Sequence, residues 1–191
     1  MGRPLEFEVD TVVEQAMQEF WTQGYANTSP AQLAKAAGVG KGSLYNTFGS
    51  KRQLFDRALA RYGQVGVEHA EEVLFRPGTA RERIGAYLRQ TVDADVAQPV
   101  RRGCMAVNTA AEFGGRDQRI TRAIHAIEER MVAVLADRID QGRRDGDIGP
   151  DVDARAAAEF LFNTSVGLRI RAKTNDVRTL YRIIDVALGT L

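Results

Sequence analysis

The chain has 191 residues, 44% hydrophobic and 27% charged, with 26 Lys and Arg against 25 Asp and Glu. Those proportions fit a folded globular protein and exclude a wholly disordered one. A net charge of +1 excludes a bulk polycation, so any binding of nucleic acid must come from a local basic patch. The lone cysteine, Cys104, excludes an internal disulfide and a multi-cysteine zinc site, and two histidines, His69 and His125, leave few soft ligands for a metal. Met1-Gly2-Arg3-Pro4-Leu5-Glu6 lacks the apolar run of a signal peptide, and no stretch approaches the roughly 18 apolar residues of a membrane span. The expectation is a soluble cytoplasmic protein with no metal and no cofactor.

The periodicity is helical almost throughout. Val13, Ala16, Met17, Phe20 and Trp21 share one face of a first helix, with Asp10 as the expected N-cap and Gly24 as the stop. Ser29-Pro30-Ala31-Gln32 is a capping box with proline at the first helical position; it opens a short helix ending near Gly38. A third short helix is expected from Lys41 to Thr47. Ser50-Lys51-Arg52-Gln53 is a second capping box, opening a longer helix that carries Leu54, Phe55, Ala58, Leu59 and Tyr62 toward Leu74. Arg76-Pro77-Gly78 is a break. Helices then follow over a segment ending near Pro99, over 103–114, 117–142, 152–173 and 176–190, and no stretch alternates convincingly as a strand. The fold class is all-α with about nine helices: three short ones, a longer fourth and about five more.

Residues 28–51 have the grammar of a helix-turn-helix. Leu33, Ala34, Ala37, Val39, Leu44 and Phe48 supply a small core, leaving Lys41, Gly42, Ser43, Tyr45, Asn46 and Thr47 on or near the open face. Charge is segregated to match. Residues 1–27 carry Arg3 against Glu6, Glu8, Asp10, Glu14 and Glu19, a net charge of −4. Residues 28–60 carry Lys35, Lys41, Lys51, Arg52 and Arg57 against Asp56, a net charge of +4. Cations placed in this way supply the salt-dependent part of binding to a duplex.

The run Ala37-Gly38-Val39-x-Lys41-Gly42-Ser43-Leu44-Tyr45-x-x-Phe48-x-Ser50-Lys51 resembles the DNA-binding signature of TetR-family transcriptional regulators. The resemblance implies an N-terminal three-helix DNA-binding domain over residues 1–50 and a C-terminal helical domain for ligand binding and dimerisation over 51–191. It implies a homodimer, paired through the last two helices, that binds double-stranded DNA and responds to a small molecule, most simply as a repressor on a palindromic operator released by its inducer. Carried over by position, Lys41, Gly42, Ser43, Tyr45 and Asn46 would meet the major groove or its phosphate walls, and Thr28 or Ser29, with Lys51, would hold phosphates from helix N-termini. The family often has Ser or Thr where this chain has Gly40, and a His-containing pair where it has Asn46-Thr47. Arg102-Gly103-Cys104-Met105-Ala106-Val107-Asn108 is similar to a Gly-Cys-apolar-apolar-Asn stretch in some members.

Other readings stand beside this one. Gly38-Val39-Gly40-Lys41-Gly42-Ser43 is not a phosphate-binding loop, because Lys35 stands where its first glycine belongs and Gly42 where its Ser or Thr belongs. Cys104, beside Arg101 and Arg102, is either a small buried residue or a thiol sensor. Tyr62, Tyr87, Met105, Asn108, Glu112, Phe113 and Phe162 either line a pocket among the central helices or are ordinary core. Ala157, Phe160, Leu161, Thr164, Ser165 and Leu168 make a small-rich stripe on the penultimate helix. Val177, Leu180, Ile184, Ala187, Leu188 and Leu191 make a Leu-rich one on the last. No Ser/His/Asp set has catalytic spacing, so an enzyme or a helical binding protein without a DNA role is the weaker alternative.

Overall fold

The structure, a computed structural model, describes residues 8–191; Arg3, Glu6 and the Met1–Glu6 segment lie outside the described residues. Among the described residues there are nine α-helices and no strand. They are α1 Val9–Gln23, α2 Pro30–Ala36, α3 Lys41–Phe48, α4 Lys51–Leu74, α5 Ala80–Ala97, α6 Met105–Phe113, α7 Gln118–Asp145, α8 Ala154–Arg171 and α9 Val177–Leu188.

Local chemistry sets the helix ends. At α2 the Ser29 hydroxyl accepts from the Gln32 backbone N–H at 3.2 Å, and the Gln32 side chain accepts from the Ser29 N–H at 2.7 Å. At α4 only half of the expected box forms: Gln53 N–H donates to the Ser50 hydroxyl at 3.1 Å, while the Ser50 N–H turns to the Phe48 carbonyl at 2.9 Å. At α1 the N-cap is Glu8 rather than Asp10, which sits inside the first turn, where a negative charge suits the helix dipole. Thr79 and Glu82 form a complete capping box at the start of α5.

The chain divides into two compact units. One runs to Gln64 and takes in Met105–Ala123; the other holds Val65–Cys104 and Ile124–Leu191. The unit that carries the three short helices is thus larger than residues 1–50, because it includes the first half of α4, α6 and the start of α7. Its core holds Val12, Met17 and Phe20 of α1, Leu33 of α2, Leu44 and Phe48 of α3, and Leu54, Phe55 and Leu59 of α4, all buried.

In the second unit α5 packs on α8 and α9, which pack on each other. The α9 stripe turns into this unit's own core: Leu180, Ile184, Ala187 and Leu191 are buried beside Ile84, Leu88, Leu135 and Leu161. The face of α8 left open carries Ala156, Phe160, Asn163, Gly167 and Ile170, at alternating spacings of four and three. The sequence stripes therefore describe mostly intrachain packing, and of the α8 stripe only Phe160 also lies on the open face. Periodicity reports that a face is apolar but not what covers it.

Candidate nucleic-acid interface

The turn between α2 and α3 is made at Gly38, whose φ of +67° an L side chain rarely adopts. Beyond it α3 is anchored from below: Leu44 is wholly buried and Phe48 nearly so, four residues apart on one face. That registration turns Lys41, Gly42, Ser43 and Asn46 outward as exposed residues, with Tyr45 half-buried beside them. Burial pushes the Tyr45 hydroxyl above its ordinary value, with Tyr25 adding to the effect, so it stays protonated and able to donate. Gly40 caps α3 without a side-chain bond.

The flanking helix starts complete the surface. Ser29 is exposed at the start of α2. Thr28 is not available in the same way: it is fully buried, and its hydroxyl donates to the Gly24 carbonyl at 2.6 Å. The expectation that Thr28 holds a phosphate is corrected on that ground, since its hydroxyl proton goes to the Gly24 carbonyl and its backbone N–H to the Tyr25 carbonyl at 3.4 Å, leaving Ser29 of the pair. At the start of α4 the Lys51 ammonium lies 4.3 Å from the centroid of the Tyr25 ring. Arg57 covers the Phe48 ring at 5.3 Å. The result is an exposed helix face with cations at its borders and backbone N–H groups of helix first turns, the equipment that holds phosphates and reads base edges.

The seven residues offered as a pocket do not assemble within one unit. Tyr62, Met105, Asn108, Glu112 and Phe113 belong to the first unit and Tyr87 and Phe162 to the second. Several are committed to packing. Tyr62 meets Trp21 edge-on with centroids 5.0 Å apart, and Phe113 lies 5.4 Å from Tyr25 and 5.9 Å from Phe55. Glu112 has a role that no local pattern announces: its carboxylate accepts from the backbone N–H of Tyr25 at 2.8 Å and of Ala26 at 2.5 Å. Tyr87 is buried, and burial lifts its hydroxyl above the ordinary tyrosine value, with Arg169 opposing that shift and the Ser165 side chain bonding it. Cys104 is buried at the chain position just before α6. Among the described residues no cluster of His, Cys, Asp or Glu is placed to hold a metal ion, and no helix is long and apolar enough to cross a membrane.

An all-helical chain with this three-helix unit is a helix-turn-helix protein. Family comparison makes the assignment specific. The family described as "Bacterial regulatory proteins, tetR family" matches residues 12–58, and "Tetracyclin repressor-like, C-terminal domain" matches residues 80–186. The chain belongs to the TetR family of transcriptional regulators. It is 32% identical to the uncharacterized HTH-type transcriptional regulator YezE of Bacillus subtilis strain 168, covering 100% of both chains. It is 28% identical to the HTH-type transcriptional repressor ComR of Escherichia coli strain K12, over 100% of this chain and 90% of that one. Among solved structures, a cysteine mutant of the TetR-family regulator CifR, complexed with a 26-base-pair double-strand operator DNA, superposes with a TM-score of 0.86 at 32% identity over 98% of each chain.

Proposed function

We propose that this regulator is a repressor that binds a palindromic operator as a homodimer in the cytoplasm and is released by a small-molecule inducer. The observation that carries the reading is the α3 face: Lys41, Gly42, Ser43 and Asn46 stand exposed over a buried Leu44 and Phe48. Residues 1–50 supply the DNA contacts through Ser29, Lys41, Gly42, Ser43, Tyr45 and Asn46, Lys51 adds one from the start of α4, and residues 51–191 otherwise bind the effector and pair the subunits. Asn46 can read adenine bidentately, Tyr45 can meet a thymine methyl, and the cations neutralise phosphates. The relatives are named as regulators or repressors, which supports that role.

Induction is a population shift. In the DNA-competent state two α3 helices sit about 34–36 Å apart, one turn of the duplex. A ligand bound among the central helices favours a state with another spacing, by as much as its affinities for the two states differ. α4 is the element that carries the change, since it runs unbroken from Lys51 to Leu74.

Enrichment of bound duplexes from a random pool, at two salt concentrations, tests this. An inverted repeat with salt-sensitive affinity supports the reading; no enrichment at low salt overturns it. A thiol-responsive variant of the same mechanism rests on Cys104, which is buried just before α6. Cys104→Ser separates the two, because a response to oxidant that survives the substitution removes the thiol from the mechanism.

A further inference from the structure

Glu112 sits in the last turn of α6, 87 residues from the turn it holds. The backbone N–H groups of Tyr25 and Ala26 lie just past the end of α1, and both are satisfied by this one carboxylate, at 2.8 and 2.5 Å. The turn is shaped to receive it. Gly24 has φ of +80°, and a Cβ there would stand 3.1 Å from Glu112 Oε2. The Tyr25 side chain packs on Phe55 at 5.0 Å and on Phe113 at 5.4 Å, and its ring carries the Lys51 ammonium. On the other side, the Gly24 carbonyl holds the Thr28 hydroxyl immediately before Ser29, the cap of α2.

We infer that Glu112 is a positioning residue for operator binding: by fixing the Tyr25–Ala26 turn it sets the Lys51 ammonium and the start of α2, two of the places where the protein meets phosphate. The inference rests on the operator-binding reading above. Through this contact the placement of α6 becomes a condition for a correctly formed DNA surface. A glutamine keeps the shape but offers one acceptor oxygen and an NH2 that opposes the second N–H, so only half of the clamp survives.

The test uses the full chain and two measurements. In the free protein, Glu112→Gln should speed hydrogen exchange at the Tyr25 and Ala26 amides. It should also remove the ring-current shift that Tyr25 imposes on the Lys51 ε-methylene protons. Against an operator selected by the unaltered chain, Glu112→Gln should weaken binding about tenfold with the helical content intact. Lys51→Ala added to it should cost little more, because the two residues act in series. Independent costs, or unaltered affinity, overturn the inference. The proton shifts are read without DNA, so an unmoved Lys51 overturns it even where no duplex is ever enriched. Failure of enrichment alone counts against the operator reading instead. Glu112→Asp, which keeps the charge and draws it back by one methylene, takes the same two measurements should the glutamine variant fail to fold.

Discussion

The Arg52 guanidinium donates to the Asp117 carboxylate at 2.6 Å, joining the first turn of α4 to the residue that opens α7. Asp117 also accepts from the Arg119 and Ile120 backbone N–H groups at 3.0 and 3.1 Å, capping α7. The Arg52 bond first, and then the Ile120 N–H, hold its carboxyl at about 2 against an ordinary 3.8. A depressed folded-state value means that the stabilisation is complete above pH 3.8 and is lost as pH falls toward 2. Asp117→Asn should therefore lower the urea midpoint at neutral pH. The difference from the unaltered chain should shrink as pH falls through that window. A difference constant from pH 7 to pH 2 would sink the assignment.

Gly42 occupies the first turn of α3, and a Cβ built on it meets nothing within 4 Å. Nothing inside the protein requires glycine there, and glycine costs a helix up to about 1 kcal/mol relative to alanine. The proposed DNA contact supplies a reason for glycine: it lets a duplex approach the backbone. Gly42→Ala should raise the melting temperature and at the same time weaken operator binding by about 1 kcal/mol or more. Stability and affinity rising together would remove close approach at this position.

What was legible in the sequence was local. Ser29 and Gln32 are three residues apart, and the box they form needs nothing beyond that spacing. Leu44 and Phe48 declare the buried face of α3 by their own period. The Thr79–Glu82 box and the Asp153 and Asp176 caps are local in the same way. What was not legible depends on contacts across the chain. Nothing near Glu112 points to Tyr25, nor near Asp117 to Arg52, 65 residues away. Thr28 and Ser29 are chemically alike. Which hydroxyl turns inward is decided by the Gly24 carbonyl, a conformational fact. The Leu-rich face of α9 was visible as apolar, but its burial inside its own subunit was not.

A buried ion pair offers a second kind of test. Arg169 of α8 meets Asp95 of α5 at 2.8 and 3.0 Å and donates to the Gly103 carbonyl at 3.1 Å, with the Asp95 side chain only 7% exposed. Removing one charge from such a pair strands the other in a poorly solvated site, at about 3–5 kcal/mol. Replacing both with apolar groups avoids that penalty. Arg169→Met should thus destabilise the chain by about 3 kcal/mol or more in urea denaturation. The double variant with Asp95→Leu should recover most of the loss. Equal losses in the single and double variants would show that packing, and not the stranded carboxylate, sets the cost.

The outward face of α8 bears on how two subunits meet. Phe160 is 46% exposed on this face. It borders a shallow groove lined by Val152, Ala156, Ala157 and Thr190. Seven residues on, Gly167 presents open space where a neighbouring helix could come close, and Ile170 continues the same seam. The four-three spacing of Ala156, Phe160, Asn163, Gly167 and Ile170 is the geometry by which two helices interlock at a shallow angle. Phe160→Glu places a charge in that seam and leaves the intrachain core untouched. It should weaken dimerisation by at least about 2 kcal/mol and be seen as monomer by sedimentation equilibrium. Affinity for an inverted-repeat operator should fall with it, while affinity for an isolated half-site stays close to that of the unaltered chain. A variant that remains dimeric at low micromolar concentration would move the interface off this face of α8.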